Sequence, residues 1–396
     1  MKKPTRKPRF IPIMLSLCLI AGIAATGLWL WRQAVFLHGP QNPAHAAARP
    51  LKLLNHSRED APGRKKTDVK LFEKGRAIDH ELRQSGFAGT AVIISHDRVV
   101  LNKGYGMSNL RTQTRNSSQT RYYIGSMTKA ITSAAFMQLR QKRWIDFDSR
   151  VSQYFPQFPN GSRISMIDLL DHVSGLGKDD ESMRTLTRDQ LVAKIARLNP
   201  RLLSRPGTSW SYEDTNYALL GAILDKVCET HLQETLHAYI LRHIFQPAGM
   251  QRSGFGIAGE HQSNRSIPYM KRGRFSIETF VPSFSQLLGC GDVYATAWDM
   301  YRFDHALTND QLLTSSSRQQ LFTRQFRGVP YTMGWYPNRR GWGGANYSSH
   351  GVLGGWNGSN AFSMDGENYI VLLSNVSNPQ VRLDVLNQRI FQILSK

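Results

Sequence analysis

Ser126 and Lys129 could form a nucleophile and its base. They lie three positions apart in Tyr122-Tyr-Ile-Gly-Ser126-Met-Thr-Lys129, where a short apolar run ends at Gly125. Helix-like apolar spacing follows, so a helix is predicted to begin at Ser126 with both side chains on one face. Free backbone N–H groups at a helix start favour developing negative charge there. The alternative is a Ser cap followed by a surface Lys, which the spacing alone does not exclude.

The composition describes a basic chain with enough residues for one large domain or two closely packed ones. It has 396 residues, 41% of them hydrophobic, and its 50 Lys and Arg outnumber 29 Asp and Glu to give a net charge of +21. Such an excess predicts a polyanionic neighbour. Beyond Cys18, only Cys228 and Cys290 remain, too few for a disulfide framework, and we expect two free, mostly buried thiols.

The beginning of the chain predicts a membrane anchor. Residues 1–9 form a basic tail, and residues 10–31 contain no charged side chain and are long enough to span a bilayer. The basic flank places the N-terminus in the cytoplasm and the catalytic domain outside the cell. A cleaved signal peptide is the alternative, but the run ends in Leu-Trp-Leu-Trp rather than in small residues. A location outside the cell therefore argues against nucleic acid as the polyanionic partner and favours an anionic envelope polymer or the lipid surface.

The remaining chain predicts an α+β body. Residues 32–67 are predicted to form an extracellular linker and residues 68–396 one domain. Strands are expected at both ends of this domain, and mostly helices are expected between about residues 126 and 288. The strands from both ends would form one antiparallel sheet flanked by helices, and the helical region would be an inserted subdomain. The predicted elements are helices at 68–85, 165–175, 187–198, 217–245 and 382–394, a hairpin turning at His96-Asp97, and strands at 331–335, 359–364 and 369–375. A second hairpin is predicted to turn at Asp365-Gly366, between the last two strands.

The domain resembles the superfamily of serine β-lactamases and DD-peptidases, with the penicillin-binding-protein fold, and most of all its class C-like branch. The similarity covers roughly residues 70–396. It rests on landmarks that occur in the family's order: Gly125-Ser126-x-x-Lys129, Leu169-Leu-x-His172-x-Ser-Gly-Leu176, Pro206-Gly, Tyr217-x-Leu-Leu-Gly221, Pro247-x-Gly-Met250 and Tyr331-x-x-Gly-Trp335.

The resemblance assigns the first two active-site motifs and their chemistry. Ser126 and Lys129 match S-x-x-K, and Tyr212-Glu-Asp214 matches Y-x-N with Asp where Asn is usual. Ser126 would attack an acyl carbonyl, and Lys129, if neutral in a desolvated and positively crowded site, could take its proton. Tyr212 is the second candidate for base or proton shuttle. Neither a metal nor a cofactor is expected.

The third motif, K-T-G or H-x-G in the family, is matched by Ser349-His350-Gly351. It keeps the glycine but lacks the basic first residue. A shifted alignment would make His350 the basic residue and put Val352 at the glycine position. The unshifted alignment implies an oxyanion hole formed by the backbone N–H groups of Ser126 and Val352. His350 is left open between substrate contact and aromatic packing.

The two departures suggest the substrate. Relatives that cut D-alanyl-D-alanine use the basic third-motif residue to hold a terminal carboxylate, which Ser349 cannot do by charge. Asp214 could hold a cation or pair with Lys129. A D-alanyl ester of teichoic acid offers an ammonium and no carboxylate, on a polyphosphate that suits a basic protein. The family that this domain resembles includes teichoic acid D-alanyl esterases, some with Asp in the second motif. We therefore predict a membrane-anchored D-alanyl esterase in which Asp214, Ser349, His350 and Gly351 bind substrate.

Other functions stay open at this point. The alternatives are a D-alanyl-D-alanine carboxypeptidase or endopeptidase acting on peptidoglycan stem peptides, and a non-catalytic wall-binding or regulatory protein; a β-lactamase is disfavoured by the altered third motif. His172 is expected to be structural. Arg339-Arg340 is the expected polyanion contact.

Overall fold

The computed structural model describes residues 66–256, 263–338 and 347–396. The predicted basic tail, membrane anchor and nearly all of the linker lie outside these residues, as do Arg339 and Arg340. No helix in the described part of the chain combines the length and the apolar character that a membrane span requires.

The first half of the domain is mostly helical, and the second half returns to strands. The helices are α1 (Lys66–Gln84), α2 (Thr128–Gln141), α3 (Val151–Tyr154), α4 (Met166–Leu170), α5 (Arg188–Leu198), α6 (Asp214–Leu232), α7 (Leu236–Ile240), α8 (Gln246–Ala248), α9 (Ala297–Thr308), α10 (Ser315–Leu321) and α11 (Leu383–Ser395). The strands are β1 (Gly89–Ser95), β2 (Arg98–Tyr105), β3 (Met107–Asn109), β4 (Thr114–Arg115), β5 (Tyr122–Tyr123), β6 (Gly254–Phe255), β7 (Tyr269–Arg272), β8 (Phe275–Glu278), β9 (Val293–Ala295), β10 (Tyr336–Pro337), β11 (Tyr347–Leu353), β12 (Trp356–Phe362), β13 (Asn368–Ser374) and β14 (Val376–Ser377).

The main sheet joins both ends of the domain, as predicted. Its strand order is β10-β11-β12-β13-β1-β2, and each neighbouring pair is antiparallel. The predicted hairpins are both present. His96 and Asp97 adopt positive φ values of 51° and 56° between β1 and β2, and Gly366 does so (74°) between β12 and β13. The prediction of an α+β fold with an antiparallel sheet flanked by helices is confirmed.

The main sheet is covered on both faces, which explains the continuous apolar run in β1. Ala91 and Ile93 face a core shared with α1 and α11. Val92 and Ile94 face the larger core formed with α2, α6 and their neighbours. Burial on both faces removes the polar alternation that a half-exposed strand would show. The larger core holds the N-terminal end of α2 against the sheet.

Three predicted elements differ from the structure. The helix predicted at 165–175 ends at Leu170, because His172 takes a left-handed conformation with φ of 59°. The strand predicted at 331–335 is a tight turn with positive φ at Met333 and Gly334. The predicted helical span to residue 288 also contains a hairpin formed by β7 and β8 with Gly273 at its turn.

Candidate active site

Ser126 lies in a 3₁₀ turn, Gly125–Met127, immediately before α2. No side-chain hydrogen bond caps the beginning of that helix, so the cap interpretation of Ser126 is wrong. Instead its Oγ accepts a hydrogen bond from Lys129 Nζ at 2.9 Å. Ser126 remains partly accessible while Lys129 is fully buried. A hydroxyl open to solvent is thus held against a buried amine, as nucleophilic catalysis requires.

Lys129 is paired with a carboxylate, which decides its protonation state. Its Nζ donates to Asp214 Oδ1 at 2.5 Å and to the backbone oxygen of Cys290 at 3.1 Å. Burial alone would lower the pKa of Lys129, but electrostatic attraction from Tyr212 and from the carboxylate of Asp214 raises it above its ordinary value. Lys129 is therefore an ammonium in the free protein. The expectation of a neutral lysine in a positively crowded site is wrong.

Tyr212 reaches the same ammonium from the other side. The centre of its ring lies 5.0 Å from Lys129 Nζ, a cation–π distance. The ring is stacked on His172, with 4.2 Å between the ring centres, and meets Tyr331 edge-on. Tyr212 precedes α6, and Asp214 is the first residue of that helix. The beginning of α6 thus brings both residues of the second motif to Lys129.

His172 has the structural role predicted for it. Its ring is buried, and its Nδ1 accepts hydrogen bonds from the backbone of Glu213 at 3.3 Å and from Asn216 Nδ2 at 3.2 Å. Burial and the nearby charge of Lys129 lower the pKa of His172 well below its ordinary value, so the ring is neutral. A neutral ring can both stack on Tyr212 and accept from the backbone that follows it.

The third motif lies on β11, beside the turn that carries Ser126. A Cβ placed on Gly351 would lie 2.9 Å from the backbone nitrogen of Ser126 and 2.0 Å from the carbonyl oxygen of Ile124. A Cβ placed on Gly125 would likewise lie 3.0 Å from the backbone nitrogen of Val352. The two glycines therefore allow the backbones of Ser126 and Val352 to approach each other. This is the arrangement that the predicted oxyanion hole needs.

The structure separates His350 from the other predicted substrate-binding residues. Side chains alternate along a strand, so Ser349 and Gly351 face Ser126 while His350 faces the opposite side of the sheet. There the nitrogens of His350 form hydrogen bonds with Ser359 Oγ at 2.8 Å and Ser348 Oγ at 3.2 Å. Burial lowers the pKa of His350 to about 4, so its ring is neutral. The shifted alignment that makes His350 the basic residue does not fit this register.

The structure adds one acidic residue that sequence reasoning missed. Partial burial raises the pKa of Glu181, and the negative charges of Asp214 and Asp179 raise it further. Asp179 forms an ion pair with Lys194 at 2.9 Å, which leaves Glu181 and Asp214 as the acidic groups nearest the site. The signal was the run Asp179-Asp-Glu181 in a basic chain. Both Cys228 and Cys290 are free and buried, as predicted.

Comparisons with known proteins identify the family of this chain. The family model described as Beta-lactamase matches residues 75–395. PbpX of Bacillus subtilis (strain 168), named as a penicillin-binding protein, is 34% identical over 328 residues, which cover 83% of this chain and 80% of PbpX. The crystal structure of FmtA from Staphylococcus aureus has a TM-score of 0.73 at 23% identity, covering 82% of this chain and 87% of FmtA.

A third comparison shows the same fold. D-amino acid amidase from Ochrobactrum anthropi SV3 has a TM-score of 0.68 at 17% identity, covering 82% of this chain and 98% of that chain. Within this chain, both hydrophobic cores and the main sheet are built from residues 66–396, so we expect these residues to fold alone. Family match, relatives and site together establish that the chain belongs to the β-lactamase family, among the serine β-lactamases and penicillin-binding proteins, and has the fold of a serine hydrolase.

Proposed function

We propose that this protein is a membrane-anchored serine esterase that removes D-alanyl groups from teichoic acid outside the cell. Ser126 would attack the ester carbonyl, and the alcohol of the polymer would leave. Water would then hydrolyse the D-alanyl ester on Ser126 and release D-alanine. Each step passes through an oxyanion that the backbone N–H groups of Ser126 and Val352 would stabilise.

Tyr212 is the better candidate for the proton acceptor in this scheme. Lys129 is held as a cation by Asp214, so it has no free electron pair with which to take the proton of Ser126. The ring of Tyr212 lies 5.0 Å from the Lys129 cation, which places its hydroxyl in the same site as the nucleophile. The same phenol could return the proton to the leaving alcohol. Lys129 then acts by electrostatics and by orienting Ser126.

The observation that carries the substrate assignment is the acidic character of the site. Asp214 and Glu181 place two carboxyl groups near the single cation of Lys129, and repulsion between them adds to the burial that raises the pKa of Glu181. The side chain of Asp214 also keeps 42% of its surface accessible. Negative charge attracts the α-ammonium of a D-alanyl ester and repels the terminal carboxylate of a D-alanyl-D-alanine peptide. Ser349 supplies no positive charge for such a carboxylate.

Two further observations support the proposal. An amino acid amide, the kind of substrate named for D-amino acid amidase, also carries a free α-amino group, so this fold accommodates one. Residues 33–396 carry a net charge of +15, because the first 32 residues contain six basic and no acidic side chains. A polyphosphate such as teichoic acid is a suitable partner for so basic a domain.

A direct test measures free D-alanine released from D-alanylated lipoteichoic acid by residues 66–396, beside release from a D-alanyl-D-alanine peptide. We expect release from the polymer, and loss of it in Ser126→Ala. Asp214→Asn and Glu181→Gln should raise KM for the ester more than for an ester whose amine is acetylated. Release no greater than from Ser126→Ala would refute the esterase, and preferential peptide cleavage would establish the carboxypeptidase alternative. Failure of an active-site phosphonate to label Ser126 would favour a non-catalytic protein.

We also propose that residues 10–31 anchor the protein with residues 1–9 in the cytoplasm. The uncharged run and its basic flank support this orientation. Protease added to intact cells without a wall should digest the catalytic domain and leave an N-terminal tag protected. Digestion of the tag, or its absence from the mature protein, would contradict an uncleaved anchor.

A further inference from the structure

The hairpin formed by β7 and β8 presents apolar side chains to solvent. In its register Met270 pairs with Ile277 and Arg272 with Phe275, so Met270, Phe275 and Ile277 share one face. Phe275 is 63% exposed, and Phe280, two residues after the hairpin, is 89% exposed. Large apolar side chains that are exposed together on one face, rather than singly, indicate an interaction surface.

Positive charge surrounds this apolar face. Lys271, Arg272 and Arg274 lie next to the turn at Gly273, and none of the three forms an ion pair with another described residue. The guanidinium of Arg274 lies 5.2 Å from the centre of the Phe275 ring. Surfaces that bind at an anionic lipid–water interface have this composition, with basic side chains around exposed aromatic and aliphatic ones.

The base of the hairpin is firmly attached, so its exposed face is not the product of a loose loop. Tyr269 is buried, its backbone N–H donates to Asn375 at 2.8 Å, and its hydroxyl accepts from the backbone of Leu110 at 2.9 Å. A Cβ on Gly355 would lie 2.2 Å from the backbone of Tyr269. Gly355 lies in the turn between β11 and β12, so the hairpin is fixed beside the strand that carries Val352.

We propose that this hairpin, Tyr269–Glu278 with Phe280, docks the catalytic domain onto a bilayer surface that contains anionic lipid. A second copy of the chain is a poorer partner, because pairing along the edge strand β8 would bring the basic side chains of two hairpins together. A soluble polyanion is also poorer, because it offers nothing apolar to Phe275, Ile277 and Phe280. Headgroups and acyl chains together satisfy both kinds of side chain.

The proposed contact is separate from the N-terminal anchor and from the reaction. It would orient the domain so that the β11 side of the cleft faces the membrane surface. The exposed side chain of Val352, at 61%, lies on that side. Binding can therefore be measured without the first 65 residues and without any ester substrate, so its failure would leave the proposed esterase untouched.

The test is co-sedimentation of residues 66–396 with vesicles of phosphatidylcholine alone or of equimolar phosphatidylcholine and phosphatidylglycerol. We expect binding to the anionic vesicles. Replacing Lys271, Arg272 and Arg274 by Gln should weaken it about 100-fold, at about fivefold for each cation near an anionic surface. Phe275→Ser with Phe280→Ser should weaken it at least as much. Matched controls, Leu241→Ser for an exposed apolar residue and Lys142→Gln with Arg143→Gln for exposed cations, should bind as the unsubstituted domain does.

Two readouts separate this proposal from its alternatives. In Phe280→Trp the emission should shift to the blue on addition of anionic vesicles, because the side chain leaves water. Unchanged binding by both hairpin variants would overturn the proposal. Loss of binding in the charge variant alone would also overturn it, because that result indicates a polyanion contact. A changed oligomeric state of the phenylalanine variant, with vesicle binding intact, would overturn it in favour of a contact between two copies of the chain. Hydrolysis of a small ester by each variant shows that the fold is retained.

Discussion

At the residue scale, the partner of Lys129 determines how the nucleophile can be activated. Had Lys129 been buried without a carboxylate, desolvation would have favoured the neutral amine and hence a lysine base. The ion pair with Asp214 reverses this preference. In the proposed mechanism proton transfer therefore falls to Tyr212, whose position depends on the stack with His172. Asp at position 214, where the family usually has Asn, thus changes the catalytic roles proposed for Lys129 and Tyr212.

Tyr212→Phe tests this assignment. Removing the phenolic hydroxyl while keeping the ring should lower kcat for ester hydrolysis by about 10²–10⁴-fold, the usual contribution of a general base. KM should change little, because the ring still packs on His172. Tyr336→Phe, which removes a hydroxyl from a neighbouring tyrosine, serves as the control. Equal effects in the two variants, measured by steady-state kinetics, would argue against Tyr212 as the base.

Asp171 gives a pH-dependent prediction. It is buried, its Oδ1 accepts from the backbone of Met333, and burial raises its pKa to about 7. An unfolded Asp titrates near about 3.9. Between these values the folded state binds more protons than the unfolded state, so this group lowers stability as pH rises to about 7 and adds no further change above it.

The substitution Asp171→Asn removes that titration. The free energy of unfolding of the variant relative to the unsubstituted domain should rise between pH 4 and about 7, by at most about 4 kcal/mol for a difference of about three pKa units. It should then level off. Urea unfolding at a series of pH values measures this difference, and the exposed Asp180→Asn is the control. A constant difference across the whole pH range would show that Asp171 does not titrate as inferred.

At the element scale, the close approach of β11 to the turn before α2 would build the proposed oxyanion hole. Neither element makes the hole alone, because each contributes one backbone N–H group. The approach depends on glycine at positions 125 and 351, where a side chain would meet the facing backbone. The alternation of β11 also decides that Ser349, and not His350, faces the nucleophile.

Gly351→Ala should therefore act on catalysis through the strand. The added Cβ must push β11 away from Ile124 and Ser126, so kcat should fall by about 10²–10³-fold, as on loss of an oxyanion donor. Gly291→Ala is the matched control, since a Cβ there would make only ordinary contacts of 3.6 Å or more. Acylation of Ser126 followed by mass spectrometry, with the melting temperature of each variant, provides the measurement. Normal acylation in Gly351→Ala would exclude the proposed hole.

At the scale of the whole molecule, the surface and the site differ in composition. The domain is basic overall, whereas two carboxyl groups, Asp214 and Glu181, lie near the single cation of Lys129. A polyphosphate that carries ammonium-bearing ester groups satisfies both. The basic surface would attract the polymer over long distances, and the acidic cleft would select the D-alanyl group at short range.

Salt should separate these two effects. Raising ionic strength shortens the screening length from about 30 Å at 0.01 M to about 10 Å at 0.1 M. KM for the D-alanylated polymer should therefore rise with salt, while KM for a short uncharged-backbone D-alanyl ester should change much less. Initial rates of D-alanine release at several salt concentrations test this. Parallel changes for both substrates would place the salt effect in the cleft rather than on the surface.

Local patterns in the sequence were sufficient for the catalytic pair, the hairpins at both ends, the sheet that joins them and the free cysteines. Each depends on neighbours in sequence or on landmarks in a known order. Helix and strand limits near residues 172 and 333 were not predictable, because positive φ at these two buried residues is imposed by the packing around them. The register of β11, which decides which of its side chains face Ser126, is fixed by pairing with β12 and could not be predicted from β11 alone.

The amino-acid sequence by itself determined that Ser126 and Lys129 match the first active-site motif of the family and that Asp214 and Ser349 depart from the family pattern. Only the tertiary structure decided what those departures do. Asp214 is 85 residues from Lys129 in the chain, and their contact sets the charge of the lysine. The protonation state of a side chain and the direction in which it points depend on the dielectric and the contacts around it. Those contacts come from residues distant in sequence, which only folding brings together.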